Sequence, residues 1–524
     1  MTYTFDRVDP LFKKWDTTSS PGCILAIVKD DELIHTRSFG MADLERGVPI
    51  TTESIFDIGS VGKQFTATVI AILASRGSLI LDASIREYLP EMPAYAKEIT
   101  VRHLIHHTSG LRDYLTLLDL RGLPMENFYA EDFLLDLITR QKGLNFKPGS
   151  EHLYSNSGYF LLGTIAQRVT GSHITELIQE HILNPLGMKR TTFNRDYRPI
   201  VKNRAMSYED GDQEGTFVNA LALSGGFGDG AILTCVDDLL LWDRNFYNNR
   251  LDNRQSNLIK QLHEKGKLNN GKTINYAFGL DVAEYKGQRV VQHGGSWAGY
   301  QSEMMRFPDQ RVTIICLANL GSMDPTMLCQ QVADIILDDV LEAESHLRRR
   351  KSRKAVEQTP LDKDAGLYQG KLQTFSILAR AGQLSLSNGT NDFPLSPANG
   401  KLQIGQLPNY VMFKNGHMIL YEADKTSRFK RIRDEQYCAP SLEPYTGRYH
   451  SAELDIHYTI EEKDGMLHLK RTPFDKPKPV YVFAENALRT STGEMRLHLG
   501  NDGAVKGFDF NAGRVNHIKF RKVK

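Results

Sequence analysis

Hydrophobic and polar positions along the first two thirds of the chain predict elements of two different periods. Phe5, Val8, Phe12 and Trp15 recur at helical spacing and indicate an amphipathic helix over residues 5–16. Helical patterns return after residue 54 and dominate to about residue 245. Strand-like runs occur on both sides of that helical region, at 22–28, 32–40, 276–282, 289–293, 300–307 and 311–318, and a last helical stretch covers 325–341.

This order predicts an α+β domain. Strands from both ends of the region form one antiparallel sheet flanked by helices, and the helical segment between them forms a separate lobe. The cleft between sheet and lobe is the natural place for a functional site.

Beyond residue 341 the pattern changes to short alternating runs separated by Gly, Asn and Asp, which is typical of small antiparallel barrels or sandwiches. These runs contain a faint repeat. Leu367-Tyr368-Gln369-Gly370 is echoed by Pro444-Tyr445-Thr446-Gly447, Gly382-Gln383-Leu384-Ser385-Leu386 by Gly465-Met466-Leu467-His468-Leu469, and Phe429-Lys430-Arg431 by Phe520-Arg521-Lys522. We therefore predict a first domain over 1–345, a basic linker over 346–359, and two small all-β barrel domains over 360–437 and 443–524. A single longer β domain is the alternative.

Composition narrows the class of partner. At 524 residues with 41% hydrophobic and 24% charged residues, the chain reads as an ordinary globular protein of two or three domains. A net charge of +1 gives no general attraction for nucleic acid or an anionic membrane. The basic run Arg348–Lys354 has no interleaved aromatic residue, so we interpret it as a solvated linker rather than a nucleic-acid or lipid site. Five scattered cysteines are expected to be reduced core residues.

The location follows from what the first residues lack. Charges interrupt every apolar group up to Trp15, so the apolar core of about 7 to 15 residues found in signal peptides is missing. No later segment approaches about 18 uninterrupted apolar residues. We expect a cytoplasmic protein, or a periplasmic one if a leader has been removed.

The candidate nucleophile is Ser60. Ser60 and Lys63 are three residues apart at the start of an apolar helix, so their side chains share one face and can touch. Unpaired backbone N–H groups in the turn before that helix can bind an oxyanion. The same spacing recurs at Ser427 and Lys430, but in a charged, strand-like stretch without such support.

Two further stretches carry groups that acyl transfer through a serine needs. Tyr154 and Asn156 are two residues apart, so Tyr154 could exchange protons with Ser60 and Asn156 could bind Lys63 or a substrate amide. In the strand around His293, Gly295 lets a substrate backbone approach, and the Ser296 N–H could complete the oxyanion site. Taken separately, these stretches are better explained as a buried tyrosine and as a strand with a Gly turn.

Together the three motifs, in this order, resemble the serine β-lactamase and penicillin-binding-protein superfamily. The versions Tyr154-x-Asn156 and His293-x-Gly295 are similar to the branch that holds class C β-lactamases, D-aminopeptidases and related esterases. Further matches to that branch are Ile99–Leu104, His107–Leu111, Leu186–Met188, Gly225-Gly226 and Gly228–Gly230. The resemblance implies an acyl-enzyme on Ser60, proton transfer by Lys63 and Tyr154, and positioning by Asn156 and His293. Which of Lys63 and Tyr154 is the base stays open.

Histidine at position 293 bears on the substrate. Where relatives that bind a substrate carboxylate commonly have lysine, an imidazole of ordinary pKa near 6.5 is mostly neutral at pH 7. We therefore expect an N-terminal D-residue amide or an ester rather than a substrate with a free carboxylate. The layout of one such domain followed by two barrels is similar to the D-aminopeptidases, in which a loop of the last domain enters the active site. Thr472–Pro479 is a candidate for that loop, and an ordinary hairpin loop is the alternative.

The predicted function is accordingly an aminopeptidase or amidase that releases N-terminal D-amino acids. A carboxylesterase or weak β-lactamase is the alternative within the fold, and a penicillin-binding sensor that acylates without turnover is the alternative outside enzymes. Partners are then a small peptide, amide or ester, with β-lactams as inhibitors, no nucleic acid and no membrane, and a homodimer is compatible with the sequence.

Two competing sites are disfavoured. His103, His106 and His107 lack a carboxylate or cysteine at ligand spacing, so a zinc site is not expected. The glycines of 225–230 lack the Lys that follows a phosphate-binding loop. No metal or organic cofactor is implied.

Overall fold

The structure of the protein is a computed structural model. It describes residues 5–341 and 361–523, apart from 126, 222, 224–226, 252–256, 371–372, 381–382, 388–391, 399–400, 406–408, 423–425, 434–440, 473–475 and 485. The predicted basic linker, Cys438 and part of the predicted Thr472–Pro479 loop lie outside these residues.

The first domain is built on a six-stranded antiparallel sheet whose strands come from both ends of the domain. The order is β10-β11-β12-β13-β1-β2, and β1 pairs with β13 from Cys23 opposite Ala318 to Lys29 opposite Val312. The strands of this domain are β1 Cys23–Lys29, β2 Glu32–Phe39, β3 Met41–Asp43, β4 Val48–Pro49, β5 Phe56–Asp57, β6 Thr192–Phe193, β7 Tyr208–Asp210, β8 Phe217–Asn219, β9 Ile232–Thr234, β10 Asp281–Tyr285, β11 Gln288–Trp297, β12 Tyr300–Phe307 and β13 Val312–Ala318. The predicted sheet is confirmed.

The central strands are apolar along their whole length because both faces of the sheet are covered. β13 is buried at every position, and β1 at every position except its last. One face packs on Phe12 and Trp15 from the N-terminal segment and on the helix that follows β13. The other face packs on the helical lobe.

The helices of this domain are α1 Lys63–Ser75, α2 Val101–Ile105, α3 Tyr114–Leu120, α4 Glu131–Thr139, α5 Asn156–Thr170, α6 Ile174–Ile178, α7 Asn184–Leu186, α8 Val236–Asn248, α9 Leu258–Leu262 and α10 Pro325–Ile336. Helix α1 lies at the centre of the lobe, and its residues 63–73 are all buried. Phe65 stacks on Trp242 of α8 with ring centroids 4.5 Å apart. The apolar run after Ser60 therefore forms the buried helix that its composition predicts.

Two predicted elements differ from the observed ones. Residues 5–16 form the 3-10 helices Phe5–Arg7 and Asp9–Trp15, with Pro10 in the first turn of the second one. The strand predicted over 276–282 begins only at Asp281, because the chain bends at Gly279 (φ +69°). A Cβ at Gly279 would lie 2.6 Å from the backbone carbon of Lys63, so this bend packs directly on the start of α1.

Two closed eight-stranded barrels follow. The first consists of β14 Gly366–Gln369, β15 Thr374–Arg380, β16 Gln383–Ser387, β17 Asp392–Ala398, β18 Lys401–Ile404, β19 Tyr410–Lys414, β20 His417–Tyr421 and β21 Thr426–Arg433. The second consists of β22 Gly447–Ser451, β23 Ile456–Lys463, β24 Met466–Lys470, β25 Lys478–Ala484, β26 Ala487–Arg489, β27 Glu494–Leu499, β28 Val505–Ala512 and β29 Val515–Val523. The alternative of one longer β domain is wrong.

The repeat between the barrels is real, but its first pair of segments is displaced by four residues from the predicted one. Gly366 (φ +144°) and Gly447 (φ +135°) open the first strand of each barrel. Two residues later, the hydroxyls of Tyr368 and Tyr449 each donate to the carbonyl four residues earlier, at 2.9 and 2.8 Å. Tyr368 therefore corresponds to Tyr449, and the Tyr-x-Gly likeness around Tyr445 is coincidental.

In the described part of the chain, no helix combines the length and apolar character required to cross a bilayer.

Candidate active site

Ser60 lies in a 3-10 turn, Gly59–Gly62, between β5 and α1. The Asp57 carboxylate holds this turn by accepting the Gly59 N–H at 2.9 Å. Gly59 has φ +49°, and a Cβ there would lie 2.8 Å from the Ser296 nitrogen. The turn thus packs backbone against backbone on β11, which places Ser60 beside the N–H of Ser296.

Lys63 is fully buried directly beneath Ser60, where it begins α1. Its Nζ donates to Ser60 Oγ at 2.9 Å, to Asn156 Oδ1 at 2.9 Å and to the Asp229 carbonyl at 2.6 Å. A lysine ammonium has three donors, and each has an oxygen partner here. The amine is therefore held in one position against the candidate nucleophile, as the i, i+3 spacing predicts.

Asn156 reaches Lys63 because it is the first residue of α5. Its own N–H donates to the Asp113 carboxylate at 2.7 Å, and Asp113 also caps α3 by accepting the Thr116 N–H. One carboxylate thus aligns the starts of α3 and α5. This alignment holds Asn156 against Lys63, which in turn contacts Ser60. Asp113 is a positioning residue that the sequence analysis missed.

Tyr154 lies in the loop before α5, with its ring against Lys63. The Lys63 Nζ is 5.0 Å from the ring centroid of Tyr154. The hydroxyl of Tyr154 is buried and has no hydrogen-bond partner among the described residues. An unengaged phenol beside the amine is available to exchange a proton with Ser60 or with a leaving group.

His293 lines the cleft, and its ring is buried. Its Nδ1 lies 2.6 Å from the Gly294 carbonyl, so Nδ1 carries the proton, and its Nε2 accepts from the Tyr276 hydroxyl at 2.9 Å. Burial, with the nearby Lys63 charge, lowers the pKa of His293 to about 4. The imidazole is neutral as expected, but both nitrogens are engaged within the protein.

Gly295 and Ser296 lie where the sequence analysis places them, on the edge of the cleft. A Cβ at Gly295 would lie 2.0 Å from the Ile58 carbonyl oxygen, so only glycine fits against the nucleophile turn. Ser296 is exposed, and its Oγ accepts from Gln301 at 3.0 Å. Ser60 and Ser296 both line the cleft, where their backbone N–H groups are candidates to bind one oxyanion.

The predicted residues converge on one cleft of about 640 Å³ between sheet and lobe. Its wall includes Ser60, Tyr154, Asn156, the segment 293–297, residues 229–231, Tyr114, Leu115, residues 323–326 and Arg514. The glycine-rich loop predicted to line the cleft does so at Gly230, while Gly225 and Gly226 lie outside the described residues.

The three clustered histidines have separate structural contacts. His103 accepts the Thr100 N–H and caps α2, and His106 Nδ1 lies 3.2 Å from the Tyr276 carbonyl. His107 Nδ1 accepts the Ser155 N–H at 3.1 Å, while its ring packs on Tyr154 at 4.2 Å between centroids. Burial lowers the pKa of His107 well below the ordinary value, so this support of the Tyr154 loop is uncharged.

Arg514 is the residue that the sequence analysis missed entirely. It lies in the turn between β28 and β29 of the second barrel, and its guanidinium carbon is 4.7 Å from the Tyr154 ring centroid. The predicted loop is elsewhere as far as it is described, since Thr472 lies against Gly122 at the end of α3. A Gly513-Arg514 turn between two strands is visible in the sequence, but nothing local indicates that it lines the cleft.

The second Ser-x-x-Lys spacing has no comparable geometry. Ser427 and Lys430 are in β21, where residues three apart point to opposite faces of the sheet. Ser427 is therefore an ordinary barrel residue, as its context indicates.

An α+β fold with a serine held by a lysine in the cleft between sheet and lobe defines a class of serine hydrolases. The Beta-lactamase family model matches residues 9–331, so the chain belongs to that family. It is a serine hydrolase of that family.

Three comparisons with known proteins bear on the wider layout. A D-aminopeptidase of Brucella anthropi is 27% identical over 526 residues, covering 96% of each chain. A penicillin-binding protein of Bacillus subtilis (strain 168) is 32% identical over 313 residues, covering 57% of this chain and 68% of that protein. Among solved structures, the octameric penicillin-binding protein homologue from Pyrococcus abyssi has a TM-score of 0.58 at 22% identity and covers 89% of this chain and 98% of that one. At that identity the last likeness concerns the fold alone.

Proposed function

We propose that this protein is an amidase or aminopeptidase that releases N-terminal D-amino acids from small peptides or amides through an acyl-enzyme on Ser60. The observation that carries the proposal is the contact of the buried Lys63 amine with Ser60 Oγ at 2.9 Å. Support for the substrate class comes from the D-aminopeptidase of Brucella anthropi, which is similar over 96% of both chains, barrels included.

In the first half of the reaction, Ser60 Oγ bonds to the substrate carbonyl carbon and its proton passes to Lys63 or Tyr154. The carbonyl oxygen becomes an oxyanion, which the N–H groups of Ser60 and Ser296 bind. Collapse breaks the C–N bond, and the leaving amine takes the proton. The acceptor must start unprotonated, either as the neutral Lys63 amine or as the Tyr154 phenolate, so the two groups act as a coupled pair.

In the second half, water attacks the ester carbonyl of the acyl-enzyme. The same pair takes the proton of the water and returns one to Ser60 Oγ as the acid leaves. Asn156 holds Lys63 throughout. His293 acts through Tyr276 and keeps the strand edge uncharged where the substrate backbone lies.

The test is a panel of D- and L-alanine 4-nitroanilide, a short acyl 4-nitrophenyl ester and a chromogenic cephalosporin, applied to the wild type and Ser60→Ala. We expect hydrolysis of the D-anilide and its loss by at least about 10³-fold in Ser60→Ala. Hydrolysis of the ester alone would replace the aminopeptidase assignment with a carboxylesterase.

A weak β-lactamase would turn over the cephalosporin and neither anilide. A lasting β-lactam adduct on Ser60 without product, measured by intact mass, would favour the sensor. Equal turnover by Ser60→Ala would contradict the mechanism altogether.

A further inference from the structure

The guanidinium of Arg514 is the one cationic group from the barrels that lines the cleft, among the residues that the structure describes. Its side chain is exposed to the cleft and has no carboxylate partner in the described part of the chain. It stacks on Tyr154, on the same ring that Lys63 approaches at 5.0 Å. A guanidinium without an acceptor, fixed beside the candidate proton-transfer groups, is a binding group for an anion.

The backbone at Arg514 and just after it is anchored to the helical lobe. The Arg514 carbonyl accepts from the Asn145 side chain at 2.9 Å and from the Asp113 N–H at 3.3 Å. The Asn516 N–H donates to Asn145 Oδ1 at 2.8 Å, and the Asn516 carbonyl accepts from Arg112. These contacts fix the backbone of Arg514 beside the cleft, and the stack on Tyr154 directs the guanidinium into it.

Carboxylates that line the cleft do not neutralise Arg514. Asp229 accepts the Tyr114 hydroxyl at 2.9 Å, and burial raises the pKa of Asp229. Asp324 caps α10 by accepting the Met327 N–H, on the sheet side of the cleft. Arg514 instead lies on the lobe side, because its carbonyl accepts the N–H of Asp113, the residue before Tyr114.

We propose that Arg514 binds a carboxylate of the substrate, so that the preferred substrates are anionic D-peptides or amides rather than neutral ones. The inference rests on the proposed function for the reaction and adds the substrate class. It also revises the expectation drawn from His293. That imidazole is neutral, but the cation that a substrate carboxylate needs comes from the second barrel.

A substrate can carry the carboxylate on its acyl side or its leaving side, and two isosteric pairs separate these. D-glutamyl and D-glutaminyl 4-nitroanilide differ by a charge on the acyl residue. D-alanyl-glycine and D-alanyl-glycinamide differ by a charge on the leaving group. In one pair we expect the wild type to favour the anionic member by about tenfold in kcat/KM, mostly through KM.

The variants are Arg514→Gln, Arg514→Glu and the control Arg521→Gln. Arg521 is an exposed arginine of β29, the strand that follows Arg514, and it does not line the cleft. The anionic-to-neutral ratio should fall to near one in Arg514→Gln, reverse in Arg514→Glu and persist in Arg521→Gln. High salt should lower the wild-type ratio and leave that of Arg514→Gln unchanged, which a merely structural role would not produce. An equal ratio in the wild type and Arg514→Gln for both pairs would overturn the proposal.

Activated esters keep this outcome separate from failure of the aminopeptidase assignment. The mono-4-nitrophenyl ester of succinic acid and that of succinamic acid form a third isosteric pair. If no amide is hydrolysed but the ester ratio depends on Arg514, the aminopeptidase assignment fails and the carboxylate site stands. If amides are hydrolysed and no ratio depends on Arg514, the carboxylate site fails alone.

Discussion

The strands follow the same order in both barrels, and the first strand of each begins at a glycine and carries a tyrosine two residues later. The two barrels nevertheless contact the domain that holds the active site in different ways. The buried side chains of the second barrel, Tyr458 and Phe508 among them, belong to the same core as α1 and α5. The first barrel has a core of its own around Tyr368 and Phe429. A duplicated fold has thus become part of the catalytic unit in one copy and remained a neighbour in the other.

Polar contacts follow the same division. Arg112 of the lobe and Glu453 of the second barrel form an ion pair with side chains only 3% and 5% exposed, and Arg112 also donates to the carbonyls of Asn516 and His517. The first barrel contacts the second one, through Thr374 and Glu494. The active site is therefore assembled from the first domain and the last barrel, which are distant in sequence.

The largest expected effect comes from removing each barrel in turn. Truncation after residue 437 exposes the apolar part of the lobe that shares a core with the second barrel, so we expect an insoluble protein or one whose Ser60 no longer reacts with a fluorophosphonate. Replacement of 361–437 by a flexible Gly/Ser linker should leave that labelling intact. Soluble yield measures the first outcome, and the intact mass of the protein after treatment measures the labelling of Ser60. Similar losses in the two variants would show that both barrels belong to the catalytic unit.

The next effect concerns the ion pair at the joint. Glu453→Ala leaves the Arg112 charge buried without its partner, which costs about 3 to 5 kcal/mol of unfolding free energy. Denaturant unfolding followed by Trp fluorescence should report the loss, since Trp242 is in the shared core. Glu462→Ala, exposed on β23 of the same barrel, is the matched control and should change stability by less than about 0.5 kcal/mol. Equal effects would mean that the joint is not a main source of stability.

A smaller, pH-dependent effect tests whether the first barrel unfolds separately. Burial raises the pKa of Glu303, in β12 below the cleft, to about 7 from 4.5. As pH rises from 4.5 to 7, the unfolded chain ionises this group before the folded one does, so stability falls by up to about 3 kcal/mol and then stays level. Glu303→Gln should remove that fall in stability from the unfolding transition of the shared core. A separate unfolding transition of the first barrel should have the same pH dependence in wild type and variant. Parallel curves of core stability against pH for the two proteins would refute this role of Glu303.

Local spacing predicted which side chains would come together in the cleft. Ser60 and Lys63 are one helical turn apart, and Tyr154 and Asn156 follow a loop into another helix, so short-range geometry already places these groups. The antiparallel sheet followed from apolar runs of strand length at both ends of the domain.

What the sequence could not supply depends on contacts between distant residues. Tyr276 was expected in a strand, but the chain bends at Gly279, which packs against Lys63. Tyr276 precedes that bend, and its hydroxyl donates to Nε2 of His293. Arg514 is near Ser60 only because Arg112, Asn145 and Glu453 hold the second barrel on the lobe. A single sequence contains no signal for such pairings, since neither periodicity nor turn chemistry extends across domains.

The position of Arg514 also has a consequence for the order of events on the ribosome. Synthesis proceeds from the N-terminus, so the serine, the lysine and the whole sheet are made before the hairpin β28–β29 exists. Until that hairpin docks, the cleft lacks the cation that would choose among substrates, and the lobe lacks the barrel with which it shares a core. The catalytic unit is therefore complete only after its last strand has been made.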